Sequence, residues 1–231
     1  MIVLAIESAT ESVGVALAGS DGVLAHATVS RGRRHAETIV PAVEFVCRQA
    51  DVGLSEIGVI GVDVGPGLFT GMRVGIATAK AFAMACDIPM VAASSLEVLA
   101  RGEDDATEIV VPVVDARKGE VFWSMYRPTG LDMDALGEPK VGSIEDLVAD
   151  LMARDQDVRI VGDGARRYER EILDGYRCDV GSAVNPSAIV LAELAYSRGI
   201  RDEVVHEREV LPMYIREPDA QINWNTRQVR P

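Results

Sequence analysis

A chain of 231 residues, 48% hydrophobic and 26% charged, is long enough for one large domain or two small ones, each with a genuine core. Its net charge of −13, from 23 basic and 36 acidic residues, repels a polyanion such as RNA on average and argues against a nucleic-acid binder working alone. The start, Met1 to Ile6, shows no basic leader before Glu7, and no uncharged apolar run approaches the ~20 residues of a membrane span, so a cytoplasmic protein without a membrane partner is expected.

Residues 2–6 form a continuous apolar run that suits a strand buried on both faces. A polar turn from Glu7 to Ser12 leads to a strand at 13–18, and Ser20-Asp21-Gly22 turns the chain into a third strand at 23–29. Ile39, Val43, Val46, Cys47 and Ala50 recur at helical spacing and predict a helix over 36–50, with Pro41 tolerated near its first turn. Residues 57–64 read as a strand ending at Gly65-Pro66-Gly67, and an alanine-rich helix follows over 70–86. A strand at 90–93 and a helix from Ser94 or Ser95 to Arg101 close the first half.

The second half repeats the plan. Ile109 to Val114 is a buried run ending in Asp115, as the first ends in Glu7. A turn at Arg117-Lys118-Gly119, a strand at 120–126, a helix at 144–153 and a strand at 158–161 lead to Gly162-Asp163-Gly164, which opens a helix. Ser187 to Arg198 reads as a further helix. The layout predicts an α/β protein of two similar lobes: 1–101, 102–215 with a linker-like acidic stretch at Gly102 to Asp105, and a mobile tail over 216–231 that contributes little to folding.

Cys47 and Cys86 lie on apolar stretches and read as small core hydrophobes, and neither the three cysteines nor the three histidines have metal-ligand spacing. Two basic clusters, Arg31, Arg33, Arg34 and His35, and Arg166, Arg167 and Arg170, read as solvated surface or helix-end charge, or as local basic patches. The stretch Gly65 to Gly71 supports two readings. Gly65, Gly67, Thr70 and Gly71 could form a phosphate or nucleotide cradle at a helix N-terminus that Thr70 caps, with Glu7 as its carboxylate, or simply a tight strand-to-helix turn. It matches neither the Walker loop nor the dinucleotide fingerprint, and the standard hydrolase signatures are absent.

Four motifs in order carry a family resemblance: Ala5-Ile-Glu-Ser-Ala-Thr-Glu11, Gly65-Pro-Gly-Leu-Phe-Thr-Gly-Met-Arg-Val-Gly75, Asp115-Ala-Arg-Lys-Gly-Glu-Val121 and Pro212-Met-Tyr-Ile-Arg216. Together they resemble the bacterial TsaB (YeaZ) family, and the resemblance covers essentially the whole chain. It departs from the family at Glu7, where Asp is frequent, and at Leu68, where Ser is usual. The resemblance implies an actin-like ATPase fold of the sugar-kinase and Hsp70 type, related to ribonuclease H. It implies a non-catalytic subunit of the machinery that makes N6-threonylcarbamoyladenosine in tRNA, activating a catalytic paralogue, TsaD, whose metal is held by an H-x-x-x-H pair. At that spacing this chain has Ser95 and Leu99, so no metal and no cofactor are expected beyond a vestige of nucleotide binding. The partners implied are a TsaD-like subunit and, through the complex, a TsaE-like ATPase; tRNA is reached only indirectly, and a second copy is an alternative partner for the isolated chain. Docking is expected on the helices at 36–50 and 70–86, through Ile39, Val43, Met72, Ile76, Ala79 and Ala83. The competing functions are an ATP-dependent kinase or hydrolase of the same fold, and a metalloprotease, against which the missing histidine pair counts.

Overall fold

The apolar run at the start of the chain becomes β1 (Ile2–Glu7), buried over nearly its whole length in the middle of a sheet. The computed structural model describes residues 1–30, 34–130 and 132–216. β2 (Val13–Gly19) and β3 (Gly22–Val29) form the expected antiparallel meander with β1. α1 (His35–Ala50), β4 (Ile57–Asp63), α2 (Phe69–Cys86) and β5 (Met90–Ala93) follow, with β4 and β5 joining in parallel to give the order β3-β2-β1-β4-β5. α1 and α2 bury Ile39, Val43, Val46, Met72, Ile76, Ala79 and Ala83 against this sheet. Pro41 sits in the second turn of α1 rather than the first. It is tolerated there because Pro41 and Glu37, whose carbonyl loses its donor, are both exposed to water. α3 (Ser95–Arg101) is capped by the Ser94 side chain, which accepts from the Glu97 N–H.

In the second half β6 (Ile109–Arg117) and β7 (Glu120–Trp123) make a hairpin. A shorter hairpin, β8 (Tyr126–Thr129) and β9 (Asp132–Ala135), attaches to β6 through β8, and β10 (Lys140–Ser143) pairs with β7. α4 (Ile144–Arg154), β11 (Val158–Val161), α5 (Asp163–Arg167), α6 (Glu169–Gly175) and β12 (Asp179–Val180) complete the order β10-β7-β6-β11-β12. The expected single strand over 120–126 breaks at Ser124 and Met125, and β8 to β10, α6 and β12 had no counterpart in the sequence reading. Pro128 and the acidic pair Asp132 and Asp134 hide the hairpin, which is held instead by tertiary contacts such as the Arg101–Asp132 ion pair.

The lobes exchange helices, which corrects the expected boundaries. α7 (Ala188–Ile200) lies in the segment assigned to the second lobe, yet it packs on the first sheet through Ala188, Leu191, Ala192 and Ala195. Gly14 and Gly61 leave room for it: a Cβ at either would come within 3.0 Å of Ala188 or Ala195. In the opposite direction, Leu96, Leu99 and Ala100 of α3 pack on Val110, Val114, Phe122 and Tyr126 of the second sheet. Each sheet is therefore covered partly by the other half of the chain. The acidic stretch between the halves is also not a loose linker. Glu103 is buried and accepts from the N–H groups of Ser182 and Ala183, and Arg159 pairs with Glu103, Asp105 and Glu108. Cys47 and Cys86 border the first core and Cys178 the second, each half-buried. No helix among the described residues is long and apolar enough to cross a membrane.

Candidate functional site

Parallel pairing of β1 and β4 sets Ile6 beside Val62, so the carboxyls of Glu7 and Asp63 leave the same end of the sheet. Both are 1% exposed. Glu7 Oε1 accepts from the Ala9 N–H at 2.9 Å. Asp63 accepts from the Gly65 N–H at 2.7 Å and from the Ser95 hydroxyl at 2.7 and 2.9 Å. Neither carboxyl has an ion pair among the described residues. Burial raises Asp63 to about 7, against the lowering effect of its Gly65 and Ser95 hydrogen bonds. Burial and the neighbouring Asp63 raise Glu7 well above the usual carboxylate range. Sequence reasoning singled out Glu7 but not Asp63. The available signal was a second strand-end carboxyl just before the glycine stretch.

This pair has a consequence for stability. An Asp63 whose folded pKa of about 7 exceeds its unfolded value keeps a proton that the unfolded chain has released. Its contribution is intact below about pH 4 and is lost as pH rises toward about 7. Urea unfolding between pH 5 and pH 8 should therefore show stability falling across the lower part of this range in the parent, with a shallower fall in Asp63→Asn, where Glu7 is the one acid of the pair left to titrate. Equal slopes would mean that Asp63 is ionised in the fold.

The glycine stretch is built around the turn after β1. Gly65 takes a positive φ of 95°, and the Leu68 N–H donates to the Ala9 carbonyl at 2.6 Å. A Cβ at Gly67 would come within 3.0 Å of the Ala9 carbonyl. One at Gly71 would meet the Ser8 carbonyl and His35, and one at Gly75 the Ser8 hydroxyl. The Ser8 hydroxyl donates to the Gly71 carbonyl at 2.9 Å. The glycines thus let α2 and its entry loop close directly on Ser8 and Ala9. Thr70 does not cap the helix. α2 begins at Phe69 with Leu68 at the cap, and Thr70 lies exposed in the first turn. As a phosphate cradle this arrangement does not fit. The Gly65 and Leu68 N–H groups already have acceptors, the space beside the glycines is taken by the Ala9 and Ser8 carbonyls and by the Met72 and His35 side chains, and the nearest carboxyls are uncompensated by any cation among the described residues.

Of the two residues at the expected histidine spacing, Ser95 donates to Asp63 and Leu99 is buried in an apolar cluster. Among the described residues no group of three or more His, Cys, Asp or Glu side chains could hold a metal ion. Asp115, the second strand-end carboxyl, is buried and accepts from Arg117 and Arg167 at 3.1 and 2.9 Å. Arg117 also reaches Glu11 of the first lobe at 3.0 Å, so an ion pair links the two strand-end regions. The Pro212–Arg216 motif fastens the same region. The Met213 N–H donates to the Val64 carbonyl at 2.8 Å, Tyr214 packs on Phe69 and accepts from Arg73 Nε at 2.6 Å, and Arg216 pairs with Glu120 at 2.6 Å. The tail beyond Arg216 lies outside the described residues.

The described arginines of the basic clusters are paired with carboxylates. His35 is buried, with Nε2 2.8 Å from the Thr10 carbonyl, and Arg34 pairs with Glu37, while Arg31 and Arg33 lie outside the described residues. Arg166, Arg167 and Arg170 pair with Glu169, Asp115 and Asp174.

The expected docking residues need correction. Ile39, Val43, Met72, Ile76, Ala79 and Ala83 are all at most 5% exposed and belong to the chain's own first core. They were chosen as the most regular apolar positions, and those positions face the sheet. The exposed face of the same helices carries Val40, Phe45, Ala77, Ala81 and Met84, with Phe69 and Tyr214 at its end. Met84 is 68% exposed, more than any other large apolar side chain described on these helices.

A family model described as "TsaD: tRNA N6-adenosine threonylcarbamoyltransferase" matches residues 22–224. The Bacillus subtilis "tRNA threonylcarbamoyladenosine biosynthesis protein TsaB" is 30% identical over 97% of this chain and 98% of its own length. The Haemophilus influenzae protein of the same description is 28% identical over 97% and 96%. A crystal structure from Pseudomonas aeruginosa, described as an uncharacterized protein with similarity to peptidase YeaZ, superposes with a TM-score of 0.84 at 30% identity, covering 93% of this chain and 99% of that one. ROK hexokinase from Thermus thermophilus superposes at 0.51 with 13% identity over 87% and 100%, a likeness of fold alone, and that fold is the actin-like one.

Proposed function

The chain belongs to the TsaB (YeaZ) family of tRNA threonylcarbamoyladenosine biosynthesis proteins, and on that footing we propose that it is a non-catalytic subunit that binds and activates a TsaD-like partner. The complex so formed would transfer the threonylcarbamoyl group to N6 of adenosine 37 in tRNA. The observation that carries this reading is the closed strand-end site. Glu7 and Asp63 are both buried and the glycine loop is clasped on Ser8 and Ala9, so among the described residues these strand ends offer a substrate no open constellation of acid, base or metal ligands. Exposed apolar side chains lie elsewhere, among them Val40 and Phe45 on α1 and Phe69 and Met84 on α2. A protein interface there would draw most of its energy from a few central residues, with Met84, Phe45 and Phe69 as the large anchors. A TsaE-like ATPase would join through the complex, and a net charge of −13 favours contact with tRNA through the partner rather than directly.

Reconstitution tests the reading. The chain alone should neither modify tRNA nor bind Mg-ATP tightly, and adding it to a TsaD-like subunit should raise product formation sharply. Modification of tRNA or turnover of ATP by the chain alone would support the kinase or hydrolase reading instead.

A further inference from the structure

Of the 36 acidic residues in the chain none falls on α2, whose charged side chains are Arg73 and Lys80. Neither has a carboxylate partner among the described residues, whereas the described arginines of the basic clusters all do. Arg73 is also placed against the helix macrodipole. It stands in the second turn from the positive end of α2, where no first-turn acid offsets it. Two aromatic rings hold it there. The guanidinium carbon lies 3.6 Å from the centre of the Phe69 ring and 5.4 Å from that of Tyr214, and Nε donates to the Tyr214 hydroxyl at 2.6 Å. The segment carrying Tyr214 is itself fastened, because the Met213 N–H donates to the Val64 carbonyl. An exposed, long side chain is thereby set in one orientation, and its two terminal nitrogens make no hydrogen bond among the described residues.

We propose that Arg73 is a specificity-determining contact of the docking face, where its guanidinium takes a carboxylate of the TsaD-like partner through both terminal nitrogens. The inference rests on the reading that this partner docks on α1 and α2. A planar guanidinium fork matches the two oxygens of a carboxylate, and a fork held in advance loses less freedom when the contact forms. Ala77, Ala81 and Met84 continue the outer stripe on which Arg73 stands, so the group that reaches Arg73 comes on an element with apolar side chains of its own to bury. That favours a protein over a phosphate backbone, as does the net charge of −13. Lys80 lies about 10 Å further along the helix and adds a second positive charge that draws an acidic surface toward it.

Titration calorimetry of the full chain with the TsaD-like subunit, at roughly 50 and 500 mM salt, tests this. The parent is expected to bind more weakly at the higher salt. Arg73→Gln should lose about tenfold or more in Kd at the lower salt and show a smaller salt dependence. Arg73→Lys keeps the charge without the fork and should fall between the two. Tyr214→Phe removes one phenol oxygen, frees the fork and should weaken binding by about threefold. Circular dichroism should give thermal midpoints near the parent's, since Arg73 is exposed. Should Arg73→Gln misfold, Tyr214→Phe against the parent decides, and equal affinities there overturn the proposal. Parent and Arg73→Gln binding equally tightly, with the same salt dependence, overturns this inference alone. A parent that does not bind the subunit at either salt overturns the docking reading together with it. Unchanged affinity for the subunit, with weaker capture of tRNA by the assembled complex, would assign the fork to a phosphate and overturn the proposal as well.

Discussion

Gly67→Ala is expected to destabilise the fold by roughly 3 kcal/mol or more, the upper range for overpacking against a part that cannot move. The added Cβ would fall within 3.0 Å of both the carbonyl oxygen and the carbonyl carbon of Ala9. Both are backbone atoms in the turn that leaves β1, and the same carbonyl accepts from the Leu68 N–H. No rotamer change relieves the clash. Either the turn or the loop must shift, and the loop is tied to Asp63, Ser95 and Met213 through Val64 and Gly65. Gly75→Ala should do less harm, because its nearest neighbour is the Ser8 hydroxyl, which can rotate at the loss of its bond to the Gly71 carbonyl. Gly137→Ala is the control, since nothing lies within 4 Å of a Cβ there. Urea midpoints for the three variants should rank Gly67→Ala lowest and Gly137→Ala near the parent. If Gly67→Ala matches Gly137→Ala, the loop is not clasped on Ala9.

The regular elements of the first half were legible because their periods are clean. β1 is continuously apolar, and in α1 the buried Ile39, Val43 and Val46 alternate with Glu37, Glu44 and Arg48 on the wet side. α2 was legible as a helix but not in its phase. Ile76, Ala79 and Ala83 face the core, and Ala77, Ala81 and Met84 face water, yet both stripes are apolar. Periodicity cannot choose between two apolar faces. The glycine stretch was equally visible while its role was not. What fills the space above Gly67, Gly71 and Gly75 is Ser8 and Ala9, brought there from the far side of the sequence by strand pairing. The helix exchange was hidden for the same reason. Ala188 and Ala195 reach Gly14 and Gly61 only once the chain has folded back across the first sheet. Local pattern fixes an element's type, and tertiary contact fixes what each of its faces meets.

Two alanines on α2, two residues apart, should separate folding from partner binding. Ala79 is 0% exposed, and Ala79→Arg places a guanidinium in the apolar first core, a change expected to cost about 3 kcal/mol or more and to unfold much of the population. Ala81 is exposed, so Ala81→Arg should stay within about 0.5 kcal/mol of the parent. If the partner docks on the open face of α1 and α2, the same arginine would be forced into a desolvated helix crossing. Binding of a TsaD-like subunit should then weaken by ~2 kcal/mol, roughly 30-fold in Kd. Met84→Asp, at the most exposed large apolar side chain of the helix, should act in the same direction. Circular dichroism through a thermal scan establishes which variants are folded, and titration calorimetry with the partner reads the affinity. Folded Ala81→Arg and Met84→Asp proteins that bind as tightly as the parent would place the docking surface off α2. An Ala79→Arg protein as stable as the parent would mean that this face of the helix is not in the core.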